Sequence, residues 1–402
     1  MDVRGVLALL APIAVALGAA EAGAAVNVYS SLPRQGTSRA QTLAVERGAR
    51  MALRERGGSA GGVEVNYIPL DDSTRANPGT ADEAQTARNA NRVAADPYAV
   101  AYIGEFNSGG TQVSLPILNR AGMLQVSPSN TYIGLTSGGP GTEPGEPGRY
   151  RPTGRRTYAR IVPHDGVQAA ALATLARHAR CRSAYLVSDG SVYGEGIVAR
   201  AGTAGRRIGL RLAGRVTFPR AASRRLRSLA RRVRAPCVIY GGVTGNGAVA
   251  HFRALAAGRP SRRFFASDGV AESAFTHPRL GGISSRVGRR TLMTVATLGV
   301  RGFPAEGRAF FDRMRAVHGR AGLDPFGIYG YECMRIVLDA IAAASPPVRR
   351  DTVLDAFGSA GVRRGPLGSY SFDPNGDTTL RTYGVYGVSR GVVTYRRAIV
   401  AR

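Results

Sequence analysis

The sequence predicts an α/β protein of two similar halves, each a doubly wound parallel sheet with helices on both faces. Three observations predict it. Short apolar runs alternate with helical patterns along most of the 402 residues. The alternation breaks once, at a Gly- and Pro-rich stretch over 137–156, and then restarts. The length suits two domains, and 44% hydrophobic with 20% charged residues is a globular composition.

Each element follows in order. The apolar run Val26–Tyr29 is a first strand. Ala40, Leu43, Ala44, Gly48, Met51 and Ala52 share one helical face. Gly57-Gly58 and Gly61-Gly62 end that helix. Val63, Val65 and Tyr67 alternate as a strand that stops at Asp71-Asp72, and an Ala-rich helix is expected over about 82–95. A strand near 99–103 runs into the loop Gly104–Gly110, a helix reaches Arg120, and a strand near 123–126 stops at Ser127-Pro128-Ser129-Asn130-Thr131. Residues 137–156 read as a surface excursion near a domain junction.

The second half repeats the pattern. A helix over about 165–179 precedes a strand near 183–187, which leads to Ser188-Asp189-Gly190. A helix over about 193–205 and a strand over about 210–218 follow. Leu226, Leu229, Ala230 and Val233 then sit at helical spacing among six Arg, which reads as an amphipathic helix with a solvated face. A strand from Cys237 opens into Gly241-Gly242, a helix is centred on His251, and a strand ends at Ser267-Asp268-Gly269. Further elements are a strand beyond Leu292, helices near 307–318 and 328–344, and a C-terminal β region over 383–400.

Net charge is +27. The chain has no Lys, so all 54 basic residues are Arg, and they are spread along the whole length. No aromatic-interleaved basic motif appears, so nucleic acid is not the expected partner. From Gly5 to Ala20 no residue is charged, Arg4 precedes the run, and Ala22-Gly23-Ala24 offers small residues for a signal peptidase. The reading is a cleaved leader over 1–24. No Cys stands near the cleavage site, so no lipid anchor is expected.

Export permits disulfides. Cysteines stand at 181, 237 and 333. If the apolar runs that begin near Cys181 and Cys237 are neighbouring strands, their sulfurs can meet; Cys333 lies in a helical pattern. No spacing suggests a metal, and no cofactor is expected.

Ligands of such sheets bind at the carboxyl ends of strands. Those loops carry Ser108, Ser129 and Thr131, and helix N-termini there attract anions. Asp268 supplies a negative charge at a strand end of the other half. Such a pairing suits a zwitterion such as an amino acid. Two strings are weighed as decoys. Gly57–Gly61 matches G-x-S-x-G but stands between helix and strand, the reverse of a nucleophile elbow. Gly245–Ala250 matches G-x-G-x-x-A, which makes a dinucleotide-binding enzyme the rival reading. Four residues separate its first Gly from Tyr240, too many for the tight turn.

The chain resembles the leucine/isoleucine/valine-binding proteins, solute receptors of branched-chain amino-acid ABC transporters, from about Val26 to its end. The carrying strings are Gly48-Ala49-Arg50, Leu70-Asp71-Asp72, Gly104–Gln112, Val126-Ser127-Pro128, Tyr193-Gly194-Glu195-Gly196, Tyr240-Gly241-Gly242 and Asp268-Gly269. The resemblance implies the type I periplasmic-binding-protein fold: two lobes joined by a three-segment hinge that closes on a ligand. It places crossings near 163–165, 295–297 and 383–385. Lobe one is then 26–163 plus 297–383, and lobe two is 164–296 plus 384–402. It implies that Ser108 and Thr131 hold a ligand carboxylate, with Ser129 and Asn130 beside them. Tyr193 touches the ligand from lobe two, Asp268 pairs with its ammonium, and Phe326 lines the side-chain pocket. Asp stands where the best-known members carry Glu, and Val243-Thr244 follows Gly242 where some carry an aromatic. The family topology makes the strands at Cys181 and Cys237 neighbours, so a bond between them is expected. The implied protein is a monomeric, non-enzymatic extracytoplasmic receptor that docks on ABC permease subunits. The alternative is a soluble sensor of the same fold for amides or aromatic acids.

Overall fold

The computed structural model describes residues 25–220 and 223–400. The leader expected over residues 1–24 lies outside the described residues. Two sheets organise the chain. The first runs in the order 59–60, 63–71, 26–32, 99–104, 124–127, 158–160, parallel apart from the two-residue strand Ser59–Ala60. The second runs 392–400, 382–389, 291–295, 263–266, 237–241, 183–188, 211–217. Its five inner and far-edge strands are parallel; Thr382–Ser389 and Val392–Val400 are antiparallel.

In each sheet the strand order reverses beside its first strand: between Val26–Leu32 and Ala99–Gly104, and between Ser183–Ser188 and Cys237–Gly241. A crevice opens at such a switch point because adjacent connections leave to opposite faces. Both crevices face one cleft.

The buried strands read as continuous apolar runs, as a two-sided sheet requires: Ala99–Gly104 is buried at every position. Helix Arg39–Glu55 packs on helix Gly327–Ala343 with small residues at the contact. A Cβ on Gly48 would fall 1.9 Å from the Gly327 carbonyl oxygen, so the Gly48 string marks a close helix approach. Ser223 caps the Arg-rich helix Arg224–Arg232 by accepting from the Leu226 N–H at 3.1 Å. Its buried residues are Leu226 and Ala230, while Arg224, Arg225, Arg227, Arg231 and Arg232 are exposed.

The chain passes between the sheets three times: after strand Tyr158–Arg160, after Thr291–Val295, and before Thr382–Ser389. Tyrosine hydroxyls tie these passages together. Tyr383 donates to the Pro163 carbonyl at 2.6 Å, and Tyr329 donates to the Ala296 carbonyl at 2.6 Å. Strand 382–389 begins inside the second sheet, so the third passage precedes Tyr383 by a residue or more.

Strand Tyr158–Arg160 and helix Arg350–Gly358 are absent from the sequence reading. Arg160 hides the first. A fully buried Arg breaks the apolar run, and it survives because its Nε meets Asp377 Oδ1 at 2.6 Å and its Nη1 meets the Tyr132 carbonyl at 2.6 Å. The excursion over 137–156 is anchored, too. Tyr150 is 3% exposed and donates to Glu146, which also accepts from Tyr132 at 2.7 Å.

Cys181 and Cys237 form a disulfide, with Cα atoms 6.2 Å apart. Strand Cys237–Gly241 pairs with Ser183–Ser188, in register from Ala184 opposite Cys237. Cys333 is buried and unbonded. No described helix is long and apolar enough to cross a membrane.

Candidate functional site

A cleft of about 620 Å³ lies between the strand-end loops of the two sheets. It sits mid-range for small-molecule pockets, roughly 300–1,000 Å³. Its first wall comes from the loop after Ala99–Gly104. Asn107 ends that loop in extended conformation, and helix Ser108–Arg120 starts at the cleft, so Ser108, Gly109 and Gly110 present N–H groups from the helix's first turn. Ser108 Oγ accepts from the Tyr132 N–H at 3.3 Å, which leaves its own proton free to donate. Thr131, 2% exposed, lines the same wall, and its carbonyl accepts from the Asp165 N–H at 2.7 Å.

Ser129 lines the cleft, but its hydroxyl donates to the Phe106 carbonyl at 2.6 Å, so its backbone is the part left for a ligand. Asn130 is a correction to the sequence reading: it does not line the cleft. Its amide donates to the carbonyls of Glu105 at 3.0 Å and Phe106 at 3.1 Å, and its oxygen accepts from Thr111 and Tyr158. It brackets the two loops of the wall. Phe326, 6% exposed, caps one end beside Phe106, with ring centroids 5.4 Å apart.

The second wall comes from the other sheet. Ser191 caps helix Val192–Arg207 by accepting from the Gly194 N–H at 3.0 Å, and this sets Tyr193 on the first turn facing the cleft. Gly194 is required there: a Cβ would fall 2.4 Å from Asp189 Oδ1 and 2.7 Å from the Gly241 carbonyl. Asp189 holds the loops together, accepting from Ser191 N–H and Oγ, Val243 N–H and Asn246.

The Tyr193 hydroxyl donates to Asp268 Oδ1, and the Ala296 N–H reaches Asp268 Oδ2 at 3.3 Å. Burial pushes the Asp268 carboxyl above the usual range, and the hydrogen bonds from Tyr193 and Ala296 oppose that rise. Ser108 and Asp268 therefore face one cleft from opposite sheets, with Thr131 beside the first and Tyr193 beside the second.

Among the cleft residues that the sequence reading did not place there are Thr37 and Gln41, from the first helix region, and Glu272, four residues past Asp268. None belongs to a string with its own chemistry; the fold alone brings them together. The Gly245–Ala250 string also reaches the cleft. Gly245 lies in the single turn Thr244–Asn246, well past the end of strand Cys237–Gly241, and Asn246 is engaged by Asp189. No cluster of His, Cys, Asp and Glu suited to a metal occurs among the described residues.

Two lobes of this topology around one solute-sized cleft define a solute-binding protein, and the comparisons agree. The periplasmic binding protein family description matches residues 26–391, and the chain belongs to that family. Its fold is similar to the leucine-binding protein LivK of Thermotoga maritima: TM-score 0.77, 21% identity, covering 93% of this chain and 99% of that one. The branched-chain amino-acid transporter binding protein LivJ of Streptococcus pneumoniae, solved with isoleucine, gives TM-score 0.74 at 17% identity over 94% and 99%. An ABC-transporter solute-binding protein of R. palustris, solved with benzoate, gives 0.74 at 16% over 94% and 97%. No curated protein matches the sequence.

Proposed function

We propose that the protein captures a small α-amino acid outside the cytoplasm by closure of its two lobes and presents it to the permease of an ABC importer. The lobes in this reading are 26–163 plus 297–383 and 164–296 plus 384–402. The observation that carries it is the opposition across one cleft of a helix N-terminus bearing the Ser108 hydroxyl and a half-buried acid, Asp268. The N–H groups at Ser108–Gly110 and the hydroxyls of Ser108 and Thr131 suit a carboxylate. Asp268 suits an ammonium, which restores the ionised state that burial disfavours. Hinge closure desolvates both pairs together, and a dry ion pair is where mutation is most costly. Nothing in this reading calls for catalysis.

A second reading has a specific observation behind it. The benzoate complex shows that this fold accepts an aromatic acid, and Phe106 and Phe326 form a ring pair at the cleft. An aromatic acid would fill the anion site and leave Asp268 without a cationic partner, which favours the amino acid. A soluble sensor would bind the same ligand and differ only in its partner.

Asp268→Ala removes the ammonium's partner. Stranding one buried charge costs about 3–5 kcal/mol, so amino-acid affinity should fall at least ~100-fold while circular dichroism and melting stay near wild type. Calorimetry with an unchanged dissociation constant would remove Asp268 from the site.

A further inference from the structure

The cleft holds a second acid that the amino-acid head does not use. Glu272 lines it, is 9% exposed, and its Oε2 atom is buried without a hydrogen-bond partner. A buried carboxylate oxygen in that condition is costly and is normally satisfied. Glu272 follows the turn Asp268–Val270, so it sits on the same wall as Asp268, farther along. The opposite wall there is polar. Thr37 and Gln41 line it, and Gln41 Nε2 donates to the Ala271 carbonyl at 3.2 Å, which lays the first sheet's helix region over this end.

The charge around the cleft points the same way. In a chain of net charge +27, the charged cleft residues are four acids, Glu83, Asp189, Asp268 and Glu272, against one base, Arg220. Asp189 is fully engaged by Ser191, Val243 and Asn246. Asp268 has Tyr193 and the Ala296 N–H. Glu272 Oε2 alone among these carboxylates is closed off from water without a hydrogen bond of good geometry, and only the hydroxyls of Thr37 and Thr244, no cation, stand near it. The volume, about 620 Å³, exceeds what a short aliphatic amino acid fills, since it equals the liquid volume of roughly twenty waters. The space beyond the Asp268 end is therefore both available and acidic.

We propose that Glu272 is a specificity residue and that the ligand is an amino acid whose side chain carries a hydrogen-bond donor or a positive charge at its far end. This rests on the amino-acid reading. The head would sit between Ser108, Thr131 and Asp268, and the side chain would run along the wall to Glu272. Burial raises the Glu272 carboxyl to about 7, and a cationic or donor group opposite it would draw it back to the ionised form.

The test is calorimetry with L-lysine, L-arginine, L-glutamine, L-leucine and L-isoleucine, on wild type, Glu272→Gln and Asp268→Ala. The expected result is at least tenfold tighter binding of one of the first three than of leucine or isoleucine. Glu272→Gln should erase most of that preference and leave leucine and isoleucine nearly unchanged. Leucine or isoleucine binding as tightly as the others, or a preference that survives Glu272→Gln, overturns the proposal. A uniform loss for every ligand in Glu272→Gln also overturns it, and assigns Glu272 to contact between the lobes. In those cases a loss of binding in Asp268→Ala keeps the amino-acid reading standing. If wild type binds none of the five, both readings fall together.

Discussion

Tyr193→Phe is the sharpest perturbation of the site, because it removes one oxygen and keeps the ring. Tyr193 is 8% exposed, and its hydroxyl donates to Asp268 Oδ1. A hydrogen bond to a charged group contributes about 1.5–3 kcal/mol, and an ammonium needs Asp268 ionised, so where the carboxyl protonates the ligand should bind more weakly, by at most roughly 10- to 150-fold. The loss should also depend on pH, and the sign can be worked out. Burial raises the Asp268 carboxyl, and the Tyr193 hydroxyl is the largest influence that lowers it. Without that hydroxyl the carboxyl rises further and is protonated over more of the acid range. A protonated Asp268 must lose its proton before it can pair with an ammonium, so binding weakens as pH falls in wild type and weakens sooner in the variant. The groups facing Asp268 are Tyr193, the Gln168 amide, the Ala296 N–H, and the more distant Asp165, Tyr329 and Tyr383. The two tyrosines stay neutral across the range. Asp165, raised to about 8, becomes ionised towards alkaline pH and adds a second negative charge there, which favours a cation. Calorimetry at pH 5.5, 7 and 8.5, in two buffers of different ionisation enthalpy, measures affinity and proton release together. A loss that is equal at all three pH values, or no loss, refutes the placement of the ammonium at Asp268.

Two further outcomes follow from groups outside the cleft. The Cys181–Cys237 bond closes a separation of 56 residues. By chain entropy that contributes about 4 kcal/mol, so the Cys181→Ser/Cys237→Ser double variant should melt well below wild type, with ligand affinity unchanged because the bond lies at the opposite end of the strands from the cleft. Asp165 is fully buried at the start of helix Asp165–His178, and burial lifts it to about 8 against the opposing influence of the Thr131 hydroxyl. Its folded value exceeds its unfolded one, so the folded chain holds a proton that the unfolded chain releases, and stability falls as pH rises from about 4 to about 8. Asp165→Asn should therefore gain melting temperature over wild type, by more at pH 9 than at pH 5; an equal difference at both rejects an ionisable Asp165.

The sequence made the sheets legible because their central strands, such as Ala99–Gly104 and Cys237–Gly241, are buried on both faces and read as plain apolar runs. What it hid were elements whose polar residues are satisfied at a distance. Strand Tyr158–Arg160 is invisible until Asp377, 217 residues later, is brought against Arg160. Ser108, Tyr193 and Asp268 are legible as cleft-lining positions because each stands just after a strand or at the start of a helix, and Thr131 because it lies in the loop that follows one. Asn130 was misread for a local reason: its neighbours face the cleft while its side chain turns back to hold the carbonyls of Glu105 and Phe106. Residue type and position cannot distinguish an amide that meets a ligand from one that fixes the loop beneath it.

Glu272 is silent in the sequence for the same physical reason. It follows no signature string, and its interest lies in what it lacks, a partner for Oε2, which only packing reveals. The abundance of Arg pointed attention outward, to solvated faces such as that of helix Arg224–Arg232. The cleft has the opposite character, four acids to one Arg. An exposed Arg is screened within about 8–10 Å at physiological salt, whereas a carboxyl closed between two lobes is not. The field inside the cleft is therefore set by its own acids, of which Asp189 and Glu272 are buried, more than by the overall charge of the chain.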